Sequence, residues 1–386
     1  MPPIAGKYTT YDTTFLDIDV RALANLVEPQ LTVSYDLFPI LEPVNTKEIE
    51  WYNAKRYSLG GTVGTGGWTD GTTLTALPID AVLTTVINVG DVLKIESEYV
   101  VVSSVQRGAD TIAVFARGAG GTTGAAHIAT TPIKIIGNAN VEGTVDLDSI
   151  TEDNLKVVNY HQILEEVVEI THTGKNQKYR DVTNKLDEQR AKAVIRALKK
   201  LNLSAIFGKP DAGTKTTPRL AGGIDHFILA DADATNVNVG GDFSETKLED
   251  AIIDVVDKGG NPNILLCSTK TKVKIINKFN AYASTSAGTK TYTIRTERIA
   301  GNIISFYESD KAFLQIVTDP ALSGQGVAYL LNTRKMGKSW FADDFLRFAP
   351  EPSNSRTMKE TLQGQFTFAV KDTSTDHARF YGITNT

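Results

Sequence analysis

The residues with the most chemical reach are few and scattered. Five histidines, His127, His161, His172, His226 and His377, lie far apart, and the single cysteine, Cys267, sits in the apolar run ILLC. One cysteine excludes an intrachain disulfide framework and any CxxC redox or metal pair. Burial as a small hydrophobe is the expectation for it. His127 has no second ligand near it in sequence, so metal binding is not expected there. Neither HExxH nor GxSxG occurs. Asp225–His226 is an adjacent pair, but adjacency along a chain does not put a carboxylate on an imidazole nitrogen. Acids are paired at Glu165–Glu166, Glu249–Asp250 and Asp343–Asp344. Glycoside hydrolysis needs two carboxylates held across a cleft, and chain neighbours read as solvated or salt-bridged acids. Glycines crowd 60–73 (GGTVGTGGWTDGTT) and 118–124. The first stretch lacks the Lys–Ser/Thr ending of a phosphate loop, and the second lacks dinucleotide spacing and a following helix. No catalytic residue, cofactor or metal is expected; the chemistry on offer is that of contact.

The bounds agree with that reading. A chain of 386 residues holds two or three domains and a sizeable core. A net charge of −5 argues against a dedicated nucleic-acid binder, without excluding a local basic face. The start, MPPIAGKYTTYDTTF, lacks the basic and apolar regions of a signal peptide. No stretch approaches the length of an uncharged membrane span. Synthesis and assembly in the cytoplasm are therefore expected.

The elements that would position contacts are clearer. Residues 1–45 read as an arm, with a short helix at Asp17–Leu26 and Pro29, Pro39 and Pro43 keeping the rest extended. Leu16, Leu23, Leu26, Leu31, Phe38 and Leu41 suit an arm that docks. Residues 46–59 read as a strand leading outward. The glycine-rich 60–73 is expected as a loop that orders on a neighbouring subunit, with Trp68 at its tip. Residues 74–137 read as a small barrel-like β unit, and 138–174 as the extended return of a long hairpin. Residues 181–208 form a long amphipathic helix, capped by Asp181 or Thr183, with Leu186, Val194, Leu198 and Leu201 on one stripe. Its basic residues, Arg190, Lys192, Arg196, Lys199 and Lys200, cluster late. A compact α/β region follows, with helices capped by Ser244 and Ser268 around a strand at 263–267. Strands at 291–296, 302–308, 313–318, 325–332 and 343–348 precede a final strand pair.

That order resembles a tailed-bacteriophage major capsid (major head) protein, in the branch with a small β insertion in the extended loop. NYHQILEEVVEI (Asn159–Ile170) resembles the strand returning toward the helix, and Glu188–Leu203 the spine helix. Gly90–His127 resembles the insertion, and KDTSTDHARFYG (Lys371–Gly382) the closing strand pair. The resemblance implies the α+β, Hong Kong 97-type capsid fold. On this chain it implies an N-terminal arm at 1–45, an extended loop at 46–80 and 138–174, and an inserted β domain at 81–137. A peripheral domain would take 175–225 and 340–386, and an axial domain 226–339.

The implied function is a structural protein, not an enzyme. It would self-assemble through hexamers and pentamers into an icosahedral shell around double-stranded DNA. Its partners would be copies of itself, with portal, scaffolding and decoration proteins besides, packaged DNA by non-specific contact, and no membrane. The expected interface residues are Phe15, Leu23, Leu26 and Phe38 in the arm, and Trp51, Tyr52 and Trp68 in the extended loop. Arg180, Arg190 and Arg196 are expected to pair with a neighbour's acids or to face the lumen. Because the chain begins almost at the arm, scaffolding is expected as a separate protein. An encapsulin-like nanocompartment shell, a tail or baseplate component, and a hydrolase assembled from distant residues are the alternatives.

Overall fold

A computed structural model describes residues 32–53, 59–140, 142, 154–177, 184–276, 292–299, 302–309, 312–342, 345–352 and 356–384. The chain divides into two units, one of Met1–Asn53 with Lys156–Thr386 and one of Ala54–Leu155.

The first unit opens with a short helix, α1 (Val33–Asp36), and strand β1 (Glu48–Asn53). Between them the proline-bearing stretch is extended, as its fixed φ angles require. It lies parallel to a later strand, with bridges Ile40–Lys338 and Val44–Phe341.

The second unit comes next along the chain. Strands β2 (Gly60–Thr62) and β3 (Leu77–Pro78) precede helix α2 (Ala81–Val86), whose N-terminus is capped by the Asp80 carboxylate. Then follow β4 (Asp91–Ile95), β5 (Glu98–Gln106), β6 (Thr111–Val114) and β7 (Pro132–Asn138). Their order in the sheet is β2-β7-β4-β5-β6-β3. A bridge between Val63 and Ile79, with Asp80 N on Thr62 O, brings the two ends together, so the sheet closes on itself. Alternation in DVLKI and EYVVV turns Leu93, Ile95, Val100 and Val102 into one core with Leu83, Ile87 and Ile133. The glycine-rich 60–73 is part of this packing. A boundary at 81 would therefore cut through one closed sheet.

The first unit resumes with β8 (Leu155–Tyr160), which pairs with β1, and β9 (Gln162–Thr171), followed by a short helix α3 (His172–Asn176). The long helix α4 covers Lys185–Phe207. Its cap is Asn184, whose side chain accepts from Leu186 N; Asp181 and Thr183 lie outside the described residues. Next come α5 (Ile224–Ala230), β10 (Thr235–Gly241), α6 (Glu245–Asp257), β11 (Ile264–Cys267) and α7, described over 269–276. Ser244 and Ser268 cap α6 and α7 through their hydroxyls. Strands β12 (Tyr292–Ile299), β13 (Asn302–Ser309), β14 (Phe313–Thr318), β15 (Ala328–Leu331) and β16 (Met336–Trp340) follow. Then come β17 (Arg347–Glu351), the fourteen-residue β18 (Thr357–Val370), a helical turn α8 (Thr373–Asp376) and β19 (Ala378–Ile383).

Two sheets organise this unit. In the smaller, β18 is central, with β9 along one edge and β17 and β16 along the other. Helix α4 lays Val194, Ala197, Leu198, Leu201, Ala205 and Ile206 into the same core as Leu164, Leu362, Phe366 and Phe368. In the larger, the order is β10-β19-β15-β11-β14-β13-β12. The last strand thus sits between β10 and β15, in the sheet of the 226–339 region. Grouping all of 340–386 with the long helix does not hold for 378–383.

Candidate assembly interface

Three constellations hold the residues expected to make contacts. The first is the arm. Phe38 is buried, with its ring 5.0 Å from that of Phe368, and Tyr35 meets the same ring edge-on. Backbone bonds from Leu41 N to Lys338 O and from Lys338 N to Pro39 O, both 2.8 Å, add the arm to the edge of β16 as a further strand. The entry of the arm is a polar clasp. Asn202 of α4 accepts from Tyr35 N at 2.9 Å and donates to Asp319 at 2.8 Å, while Ser34 donates to the same carboxylate through both N and Oγ. All four residues are buried. Phe38 therefore anchors the arm to its own chain. Phe15, Leu23 and Leu26 lie outside the described residues.

The second is the long helix on its sheet. Arg190 makes a two-pronged pair with Glu360 of β18, at 2.7 and 2.6 Å, and a third bond to Asp187 at 3.0 Å. Glu166 of β9 accepts from Arg196 at 3.2 Å and from Lys200. Burial pushes the Glu166 carboxyl up, but those two cations outweigh it and hold it below its usual range. Arg190 thus spends its fork inside the subunit, where a guanidinium and a carboxylate match geometrically. Arg196 keeps about half of its side chain exposed. Arg180 lies outside the described residues. On the outward side of β9, Ile163 and Val167 remain exposed.

Strand β1 divides its aromatics by alternation. Trp51 faces inward, 5.3 Å from the Phe227 ring, with its indole nitrogen unpartnered, while Tyr52 points out at 59% exposure. His161, at the break between β8 and β9, is buried with its ring edge-on to Phe341, and burial holds it toward the neutral form.

The third constellation is in the closed-sheet unit. Trp68 is 1% exposed, donates from Nε1 to Pro78 O at 2.9 Å, and stacks under Arg117. It is core, not a tip waiting for a neighbour. The glycines around it permit this by letting backbones touch. A Cβ on Gly71 would lie 2.3 Å from Gly124 O, and one on Gly67, at φ +66°, 2.7 Å from His127 O. Beneath lies Glu98, fully buried, which accepts from Arg117 Nε (2.7 Å) and Nη2 (2.9 Å), Gly118 N (3.1 Å) and Ala125 N (3.0 Å). His127 contacts both Glu98 and Glu96, so it is not isolated in space. Only the i, i+2 spacing of Glu96 and Glu98 hinted at this in the sequence.

The remaining chemical candidates are structural. Cys267 is buried and its thiol is pushed up to about 12. Asp225 accepts from Tyr329 Oη (2.7 Å) and Arg379 (2.6 Å), while the His226 ring lies against Phe227. Burial lowers His377 to about 4, with its Nε2 on Lys371 O. Asp343 and Asp344 are outside the described residues.

No curated protein matches the chain. It is similar to a solved structure from Mycobacterium phage Cain, at 10% identity over 95% of this chain and 97% of that one, with a TM-score of 0.46. A structure from Microbacterium phage Oxtober96 shares 8% identity over 91% and 90%, with a TM-score of 0.47. The SrpI encapsulin of Synechococcus elongatus PCC 7942 shares 11% over 60% and 78%, with a TM-score of 0.45. Likenesses this distant assign nothing by themselves. The SU10 major capsid protein family model matches residues 7–384, nearly the whole chain, and the chain belongs to that family: it is a structural, capsid-forming protein of a bacteriophage.

Proposed function

We propose that this chain associates with copies of itself into hexamers and pentamers and closes an icosahedral shell around double-stranded DNA, without catalysing a reaction. The observation that carries the reading is membership of the capsid family from residue 7 to 384. Arg117, Arg190 and Arg196 each meet an acid of their own chain, and these are pairings that hold elements together. A shell needs only modest contacts, because each is repeated around a closed assembly.

The contact-making residues in this reading are those facing outward. They are Tyr52 on β1, Ile163 and Val167 on β9, and the exposed part of Arg196, with Phe15, Leu23, Leu26 and Arg180 as further anchors. Portal, scaffolding and decoration proteins are proposed as additional partners, DNA as a non-specific one, and the host cytoplasm as the place of assembly.

Negative-stain microscopy of the expressed protein tests this. Capsomers or closed particles are expected. A monomer persisting at high concentration overturns the proposal, and a particle that packages a protein cargo instead of DNA favours a nanocompartment.

A further inference from the structure

His127 is a buried titratable group with no part in the contacts proposed for assembly. Its ring is shut off from solvent inside the 54–155 unit, and both of its nitrogens meet carboxylates. Nδ1 lies 3.1 Å from Glu96 Oε2, and Nε2 lies 2.9 Å from Glu98 Oε2. The backbone fixes the residue between them. His127 N donates to Trp68 O at 2.8 Å, and His127 O accepts from Trp68 N at 2.7 Å.

A carboxylate only accepts, and a neutral imidazole has a single N–H. Two carboxylates on one ring are therefore both satisfied only when the ring carries two protons. The charges around it fit that state. Glu98 comes from β5, Glu96 from the turn between β4 and β5, and Arg117 from the chain after β6, already forked onto Glu98. From the 60–73 stretch the ring meets the Trp68 indole edge-on, while Asp70 turns to Thr72 and Thr73. Two acids then face two cations.

The two ring contacts differ in what else holds them. Glu98 is fully buried and takes four further N–H groups, two from Arg117 and one each from Gly118 and Ala125. The Glu96 side chain is 63% exposed, on a turn residue at φ +52°. When the ring gives up one proton, the N–H that remains stays with Glu98, and a lone pair is left facing Glu96. That pair and the carboxylate repel, and the exposed acid is the one able to swing into water.

We propose that His127 is a proton-operated latch: doubly protonated, it ties the β4–β5 turn to the loops around 68 and 127, and on losing one proton as pH rises it releases the turn at Glu96 while keeping Glu98. A cation held by carboxylates in the folded unit contributes stability at low pH and loses it as the ring is deprotonated.

The test is exchange mass spectrometry on the full chain over a pH series. Deuterium uptake at the ring carbon between the two nitrogens follows the protonation of His127, and amide uptake at 95–98 follows the turn. Dividing by the amide rates of 100–102, on the same strand, cancels the direct effect of pH on exchange. The relative protection of 95–98 is expected to fall several-fold along the same curve as the ring's loss of its proton. Constant protection while the ring titrates overturns the proposal, and so does a ring singly protonated throughout with 95–98 still protected. Glu96→Gln separates proton from tether. Its amide accepts from a protonated ring and donates to a neutral one, and its exposed position keeps the fold intact. In that variant the ring should still titrate while the protection of 95–98 stays flat. A fall equal to that of the parent chain overturns the latch.

Discussion

Arg117 grips Glu98 with two nitrogens, Nε at 2.7 Å and Nη2 at 2.9 Å, and both side chains are buried. The pair is a knot as much as a bond. Arg117 also donates to Asp70 O and Ala125 O, and Glu98 also takes Gly118 N and Ala125 N. Two loops, around 68–73 and 117–127, are thereby tied to one strand end.

Removing the cation is expected to be costly. Arg117→Met keeps much of the stem but leaves Glu98 charged and alone in the interior, a loss of about 3–5 kcal/mol. Urea unfolding should show it as a lower midpoint for the 54–155 unit. A change under about 1 kcal/mol would mean that water reaches Glu98.

The same pair sets an acid limit. Burial alone would raise the Glu98 carboxyl, but Arg117, Ala125 N and His127 together bring it from 4.5 down to about 2. A group whose pKa is depressed by folding stabilises above its unfolded value and loses that stabilisation as pH falls through the folded one. The unit is therefore expected to weaken between about pH 4.5 and 2. Amide exchange at Val100 and Val102 reads this directly. In Glu98→Gln the slope should flatten, and an unchanged slope would locate the acid sensitivity elsewhere.

Backbone contact at Gly71 makes a different demand. Gly71→Ala puts a methyl 2.3 Å from Gly124 O, and Gly124→Ala does the same to Gly71 O. Neither obstacle is a flexible side chain, so each change is expected to cost about 1–3 kcal/mol. Combined, they should cost less than their sum, because they relieve the same approach. Thermal melts of the three variants check both points.

The arm clasp depends on Asn202. In Asn202→Ala, Tyr35 N loses its acceptor and Asp319 loses a donor, at about 1–3 kcal/mol for groups left buried and unpaired. Limited proteolysis should then cut near 32–38 faster than in the parent chain. Equal rates would show that the Phe38–Phe368 packing holds the arm unaided.

What could be read in advance follows from locality. The stripe of α4, the serine caps of α6 and α7 and the alternation of β5 are set by residues a few positions apart, and their elements fall close to where the sequence puts them. The burial of Trp68 is not legible locally, because it depends on 117–128 coming to meet 64–73. Glycines read as freedom of motion also serve where two backbones touch. Arg190 finds Glu360 across 170 positions, and nothing short-range points to it. The apolar spacing around Phe38 marks it as a residue that docks, and the pairing of 39–44 with β16 makes its own chain the place.

The position of β19 bears on how the chain is made. Strand β10 pairs in parallel with β19, its sole sheet partner among the described residues, and β15 takes the other side. Synthesis runs at about 5–20 residues per second, so β10 waits many seconds for residues 378–383 to leave the ribosome. A chain stopped after 377 is expected to leave the β10–α6 region sensitive to protease while the 54–155 unit resists, and equal resistance would show that the sheet closes without its last strand. With the partner of β10 supplied only by residues 378–383, translation acts as its own proofreader: a copy interrupted before them lacks the strand that joins β10 to its sheet when subunits are gathered.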